Sequence, residues 1–193
     1  MEYVYMATGF TGALTLVFLM RELHRRLSWL PTVSPYFSPK GGCTDAVLRE
    51  VQRARRQILV QGYSFTSEAL ARGLIEAKKR GVDVEVLLDK SNEVERYSDL
   101  HVFLENGLPP LIDHNHAIAH NKIMIIDRRT LITGSFNFTN QAEHENAENL
   151  LVIKGHPELI QEYYKSFLAH KAHCKPAETK APTDAHARGH KAA

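Results

Sequence analysis

The sequence predicts an α/β domain, one mixed β-sheet flanked by helices, with an apolar helix at its N-terminal end. Two observations carry the prediction. Apolar runs of strand length alternate along the chain with amphipathic runs of helix length, the order expected when helices cover a sheet. The chain of 193 residues, 44% hydrophobic and 24% charged, has the size and composition of one globular core, and no internal repeat divides it.

The elements follow in order. Residues 3–20 are uncharged and, as a helix, would reach about 27 Å, near the thickness of a hydrocarbon core. Arg21, Arg25 and Arg26 follow this run, and Glu2 precedes it. That charge order predicts an uncleaved membrane anchor over residues 1–30, with the remainder of the chain facing the cytoplasm. The alternative is a cleaved signal segment and a secreted or periplasmic protein, but the n-region is not basic and no small-residue cleavage site follows. Pro31, Pro35 and Pro39 make residues 31–41 an extended linker. The folded domain is expected over 42–172. Thr44 or Asp45 would cap a helix carrying Ala46, Val47, Leu48, Val51 and Ala54. Residues 57–65 read as a buried strand and 67–79 as a helix with Leu70, Leu74, Ile75 and Ala77 inward, stopped by Gly81. Residues 82–88 are a strand. Ser91 or Asn92 would cap a helix over 93–105, ended by Gly107, and a short strand follows at 110–112. Residues 149–153 form a further strand, and 157–170 an amphipathic helix presenting Leu159, Ile160, Tyr163, Tyr164 and Phe167. Residues 173–193, rich in Lys, His, Ala, Pro and Thr, lack the large apolar residues needed to fold and are expected to be disordered.

Charge and cysteine content exclude little. Lys and Arg total 24 against 22 Asp and Glu, and a net charge of +2 does not by itself argue for nucleic acid. Basic clusters at Arg53, Arg55 and Arg56 and at Lys78, Lys79 and Arg80 suit solvated helix faces as well as a polyanion. The two cysteines, Cys43 and Cys174, are too few for a disulfide framework or a cysteine-rich zinc site.

Chemistry concentrates between positions 120 and 148. The run His120-Asn-Lys122-Ile-Met-Ile-Ile-Asp127 is followed after six residues by Gly134-Ser135-Phe-Asn137, the pattern H-x-K-x4-D-x6-G-S-x-N. A neutral imidazole can attack phosphorus, and covalent catalysis divides one difficult displacement into two. An ammonium and a side-chain amide can hold phosphate oxygens as charge builds on them. His120 and Lys122, two apart, share one face of a strand. Residues 123–126 suit a strand buried on both sides, and Arg128-Arg129-Thr130 suits a turn, so a hairpin would return Gly134–Asn137 beside His120. Asp127 falls on the opposite face from Lys122, so it is read as a structural residue that fixes the turn. Glu148 lies in an alternating stretch and could orient the His120 ring. Glu143 and Glu145 are weaker candidates for that role, in a polar stretch expected to be a loop facing water. His114, His116 and His120 could bind zinc as a cluster, but an ammonium two residues from the third imidazole opposes a cation there, so no metal and no cofactor are expected in the catalysis.

These residues resemble the HKD signature of the phospholipase D superfamily, with His120, Lys122, Asp127, Gly134, Ser135, Asn137 and Glu148 in matching places. The likeness extends through Ile58–Thr66, Ala77–Val84 and Gly134–Thr139, covers residues 34–170, and is greatest to small single-motif members, the bacterial Nuc-type endonucleases and the mitochondrial Zucchini-like proteins. It departs from those Zucchini-like relatives that carry a zinc module before the core. The resemblance implies a phospholipase D-like fold and phosphodiester hydrolysis through a phosphohistidine. It implies His120 as nucleophile and as acid and base, Lys122, Ser135 and Asn137 on the phosphate, Glu148 beside the histidine, and Asp127 and Gly134 as structural residues. Because the superfamily needs two motifs face to face and this chain holds one, it also implies a homodimer with the site on the two-fold axis. The expected substrate is DNA or RNA. The alternative is a phospholipid such as phosphatidylcholine or cardiolipin, which the anchor would place within reach; a tethered binding protein without turnover fits the intact motif least.

Overall fold

The computed structural model describes residues 16–20, 30–95 and 98–177. Residues 16–20 are helical and exposed; the rest of the apolar N-terminal run and Arg21, Arg25 and Arg26 lie outside the described residues. No helix among the described residues is long and apolar enough to cross a membrane.

Eight strands form one mixed sheet: β1 (Thr32–Phe37), β2 (Gln57–Gly62), β3 (Asp83–Asp89), β4 (Leu111–Asp113), β5 (Lys122–Ile126), β6 (Thr130–Gly134), β7 (Asn149–Lys154) and β8 (Lys175–Pro176). Their spatial order is β1-β7-β6-β5-β2-β3-β4-β8. The β2–β3 and β3–β4 pairs are parallel and the others antiparallel. Helices α1 (Cys43–Arg53), α2 (Glu68–Lys79) and α3 (Leu100–Glu105) pack on one face, over Ile58, Val60, Val86, Met124 and Ile132. A short helix α4 (Asn140–His144) precedes β7. Helix α5 (Pro157–Lys171) covers the other face, setting Ile160 and Phe167 against Leu59, Ile123, Ile125 and Leu131. Both sides of β5 are therefore covered, which is why its sequence is a continuous apolar run and not an alternating one.

Several expectations change. The Pro-rich linker is in part a strand: β1 pairs antiparallel with β7 at the sheet edge, where a residue without an N–H donor is tolerated. The 57–65 strand ends at Gly62. Neither Thr44 nor Asp45 caps α1. The N-cap is Gly42, without a side-chain cap of its own, and the Glu143 carboxylate accepts from the Gly42 N–H (3.1 Å) and the Thr44 N–H (2.7 Å). Glu143 is accordingly buried in a helix, not exposed in a loop; it neutralises the orphan donors of a helix start about a hundred residues earlier in the chain. The long helix expected over 93–105 shortens to a 3₁₀ turn, Lys90–Glu93, and α3. Asn92 is buried and bridges backbone, its amide donating to the Tyr63 and Asp89 carbonyls. Residues 173–177, expected to belong to a disordered tail, turn back instead: β8 pairs with β4, and the Ala177 N–H donates to the Pro110 carbonyl. Residues 178–193 lie outside the described residues.

Candidate functional site

The strand register collects the signature residues, Asp127 excepted, at one edge of the sheet. Gly62, ending β2, pairs with Lys122, which opens β5; Gly134, ending β6, pairs with Leu150 near the start of β7. β3 and β4 run parallel to β2, so Asp89 and Asp113 leave the sheet at the same edge. Pairing changes from parallel to antiparallel between β2 and β5.

His120 is exposed at this edge, its ring 4.5 Å from the ring of Tyr63 between centroids. Lys122 is buried, 7% exposed; its ammonium donates to the His120 carbonyl (2.9 Å) and stands 5.0 Å from the Tyr63 ring centre. Burial pulls the Lys122 ammonium down to about 8, against the opposing pull of the Glu148 carboxylate. A cation held this way, with one donated hydrogen bond and a ring face as company, has donors left for phosphate oxygens.

Ser135 and Glu148 are joined: the serine hydroxyl donates to Glu148 Oε2 at 2.5 Å and accepts from the Asn149 N–H. Asn146 Nδ2 donates to the other carboxylate oxygen, Oε1, at 3.1 Å. Among the described residues the Glu148 carboxylate thus hydrogen-bonds Ser135 and Asn146 and not His120, and its influence on the site is felt as charge on Lys122. Gly134 is required by geometry. Its φ is +149°, and a Cβ there would meet the Asn149 carbonyl oxygen at 2.3 Å. Phe136 and Phe138, both buried, flank Asn137, and a bridge between Phe65 and Phe138 lays this segment beside the chain leaving β2. Asn137 Oδ1 is buried with no hydrogen-bond partner among the described residues.

Asp127 lies away from this edge, at the β5–β6 turn. Its carboxylate accepts from the backbone N–H groups of Arg55, Arg56 and Gln57, at 3.0, 2.7 and 3.0 Å. This ties the hairpin turn to the segment entering β2. The three candidate metal-binding histidines are separated: His120 faces Tyr63, His114 approaches Glu93 (3.4 Å), and His116 approaches Asp113 (2.9 Å).

Two residues with site roles were not singled out from sequence. Tyr63 supplies the ring against His120 and Lys122; the signal was an aromatic residue directly after the apolar run of β2. Asp89 is buried and holds the approach to His120, one carboxylate oxygen accepting from the Ala119 N–H (2.7 Å) and the other from the Ser91 N–H (2.9 Å). Burial alone would push Asp89 up; the hydrogen bonds from Ala119 and Ser91 carry it below its usual value.

The family described as "Cardiolipin synthase, PLD-like domain" matches residues 47–171. A "Phospholipase D" of Rickettsia felis is 41% identical over 140 residues, 72% of this chain and 70% of that protein. The human "Mitochondrial cardiolipin hydrolase" is 31% identical over 151 residues, 78% of this chain and 58% of that protein. The crystal structure of Nuc from Salmonella typhimurium, a phospholipase D family member, superposes with a TM-score of 0.73 at 34% identity, covering 77% of this chain and 99% of that one.

Proposed function

The chain belongs to the phospholipase D superfamily and is a phosphodiesterase of that class; we propose that it cuts nucleic acid internally, through a phosphohistidine on His120 and without a metal in the chemistry. The observation that carries this reading is the open edge itself. An exposed imidazole beside a buried ammonium and an aromatic face can be reached from the middle of a long polymer. The phosphate meets Lys122, and a neighbouring base has the Tyr63 ring on which to stack, the pairing of charge and π-surface that single strands favour.

The sequence holds one motif, so the working unit is a homodimer with the site on the two-fold axis. An imidazole nitrogen of His120 attacks phosphorus, and the P–O bond to the leaving oxygen breaks as that oxygen takes a proton from the partner subunit's His120. Water, deprotonated by the same partner imidazole, then attacks the phosphohistidine and releases a phosphomonoester. Lys122 and Asn137 of each subunit hold the non-bridging oxygens as charge builds on them. Glu148, held by Ser135 and Asn146, keeps the ammonium charged. Residues 3–20 tether the enzyme to a membrane, with the catalytic domain facing the cytoplasm.

A phospholipid substrate is the second reading, favoured by Val94 and Ile118, exposed apolar side chains on loops leaving the catalytic edge. The discriminating experiment presents the full-length protein in mild detergent with labelled single-stranded DNA, duplex DNA, RNA, and vesicles of phosphatidylcholine and cardiolipin. Internal cleavage of single strands is expected. Release of phosphatidic acid or phosphatidylglycerol from vesicles, with nucleic acid left whole, would replace the nuclease reading by the phospholipase one.

A further inference from the structure

Apart from the phosphate-facing residues, four side chains converge where α5 ends against β4. Asp113 Oδ2 lies 2.9 Å from His116 Nδ1, 3.3 Å from His170 Nδ1 and 3.2 Å from His173 Nε2. The donor atoms of all four residues lie within 4.8 Å of one another. The rings are 4.8, 5.1 and 5.6 Å apart between centroids, gathered around one oxygen. A single carboxylate oxygen has two lone pairs, so three ring N–H donors overfill it. We propose that Asp113, His116, His170 and His173 form a structural site for a divalent transition metal, zinc by preference.

The geometry fits that ion. Zinc bonds imidazole nitrogen and carboxylate oxygen at about 2.0–2.2 Å in a tetrahedron, which sets neighbouring donor atoms about 3.3–3.5 Å apart. The three N···O separations need open by at most about half an ångström, and the donor atoms, spread over up to 4.8 Å, must draw in toward the about 3.3–3.5 Å of a tetrahedron as the imidazoles turn onto the ion. Three imidazoles select against magnesium and calcium, which prefer oxygen. Four protein ligands close the coordination sphere, the hallmark of a structural and not a hydrolytic zinc site. The carboxylate is also pre-oriented: its second oxygen, Oδ1, accepts from the Asn115 and His116 N–H groups at 3.0 and 3.2 Å, the outer-sphere support that metal ligands need. Asp113 is 3% exposed, while the imidazoles of His116, His170 and His173 are 42%, 21% and 29% exposed, so an ion has a way in.

The site has a consequence for the catalytic edge. His116 and His170 are separated by more than fifty residues, one in the loop that leads to His120 and the other in the last turn of α5. The His116 carbonyl also accepts from the Lys90 ammonium at 2.8 Å, and Asp89 holds Ala119. A metal at Asp113 would clamp the start of this loop while Asp89 holds its end. The ion orders the approach to His120 without touching phosphate.

The test uses the full-length protein without an affinity tag, since an added histidine tag would bind metal itself. Zinc content is measured after dialysis, affinity by competition with a chromophoric chelator, and site geometry by the visible bands of the cobalt(II) form. One equivalent of tightly held zinc and a tetrahedral cobalt spectrum are expected. His170→Gln together with His173→Gln should weaken zinc by more than the roughly 10–100-fold that loss of an outer-sphere partner costs, and abolish the cobalt bands while the far-ultraviolet circular dichroism is retained. Equal zinc affinity in the variant, or less than a stoichiometric tight site in the wild-type protein, would overturn the proposal. Should the variant fail to fold, X-ray absorption of the zinc-loaded wild type decides. A shell of three imidazoles and one oxygen supports the site, and a sulfur ligand or a shell of water oxygens refutes it.

Discussion

Replacing Asp127 by Ala removes an acceptor for three backbone N–H groups at once. The donors on Arg55 and Arg56 are exposed and can turn to water, so each lost bond costs about 1 kcal/mol; the one on Gln57 is partly buried and costs about 2 kcal/mol. Asp127 has φ +52°, a left-handed conformation that Asp and Asn tolerate and Ala resists by roughly another 1 kcal/mol. The sum is about 5 kcal/mol as an upper figure, and at about 2–4 °C per kcal/mol for a domain of this size the melting temperature should fall by some 10–20 °C. Asp127→Asn keeps the conformation and one acceptor oxygen and should lose about half as much. Melting is followed by circular dichroism, and kcat on a chromogenic phosphodiester is measured well below both transitions. A large fall in stability is expected, with kcat within a few-fold of wild type. A kcat reduced by orders of magnitude at an unchanged melting temperature would refute the structural assignment and return Asp127 to the chemistry.

Other outcomes follow from the same geometry. With the Lys122 ammonium at about 8, kcat/KM should fall as pH rises through that value; Lys122→Arg should move this alkaline limb upward and Glu148→Gln should move it downward, and a pH–rate profile that ignores both substitutions contradicts the role given to Lys122. Asp99 Oδ2 is buried with no hydrogen-bond partner among the described residues, and burial first, with Glu68 adding, raises the Asp99 carboxyl to about 6. Its folded value lies above its unfolded one, so the contribution of Asp99 to stability is greatest below about pH 4 and declines as pH climbs to about 6. Asp99→Asn should therefore stabilise the protein at pH 7.5 by about 1–3 kcal/mol, with the gain vanishing near pH 4 in denaturant titrations; a gain independent of pH would rule this out. Glu143→Ala should lower stability by about 1–2 kcal/mol while KM is unchanged, since the carboxylate serves the start of α1 and not substrate; a raised KM at full stability would count against that assignment.

The parts of the fold that were legible in sequence are those set by local periodicity. Residues 68–79 and 157–171 announce their buried stripes, and the unbroken apolar run of β5 declares a strand covered on both faces. The HKD signature was legible because its spacing spans one hairpin, and the hairpin exists. What escaped depends on contacts distant in the chain. Glu143 looks like one more surface acid until the fold brings it under Gly42 and Thr44. β1 contains Pro35 and reads as linker because nothing local reveals that Asn149–Lys154 will pair with it. His170 closes the expected helix over 157–170 and His173 opens the expected tail; nothing local reveals that the fold brings both against Asp113. Glu148 was assigned to His120 by resemblance, whereas in this chain its carboxylate is taken up by Ser135 and Asn146.

A covalent phosphohistidine on His120 can be observed directly. The protein is mixed with substrate in the presence of EDTA, at a temperature below the melting transition of the metal-stripped form. The reaction is quenched in alkali, which preserves phosphoramidates, and the digest is examined by mass spectrometry. A phosphoryl adduct is expected on the peptide containing His120, formed during turnover and absent from an inactive His120→Asn. Turnover with no adduct on any histidine, or sustained turnover by His120→Asn, would rule out the covalent intermediate.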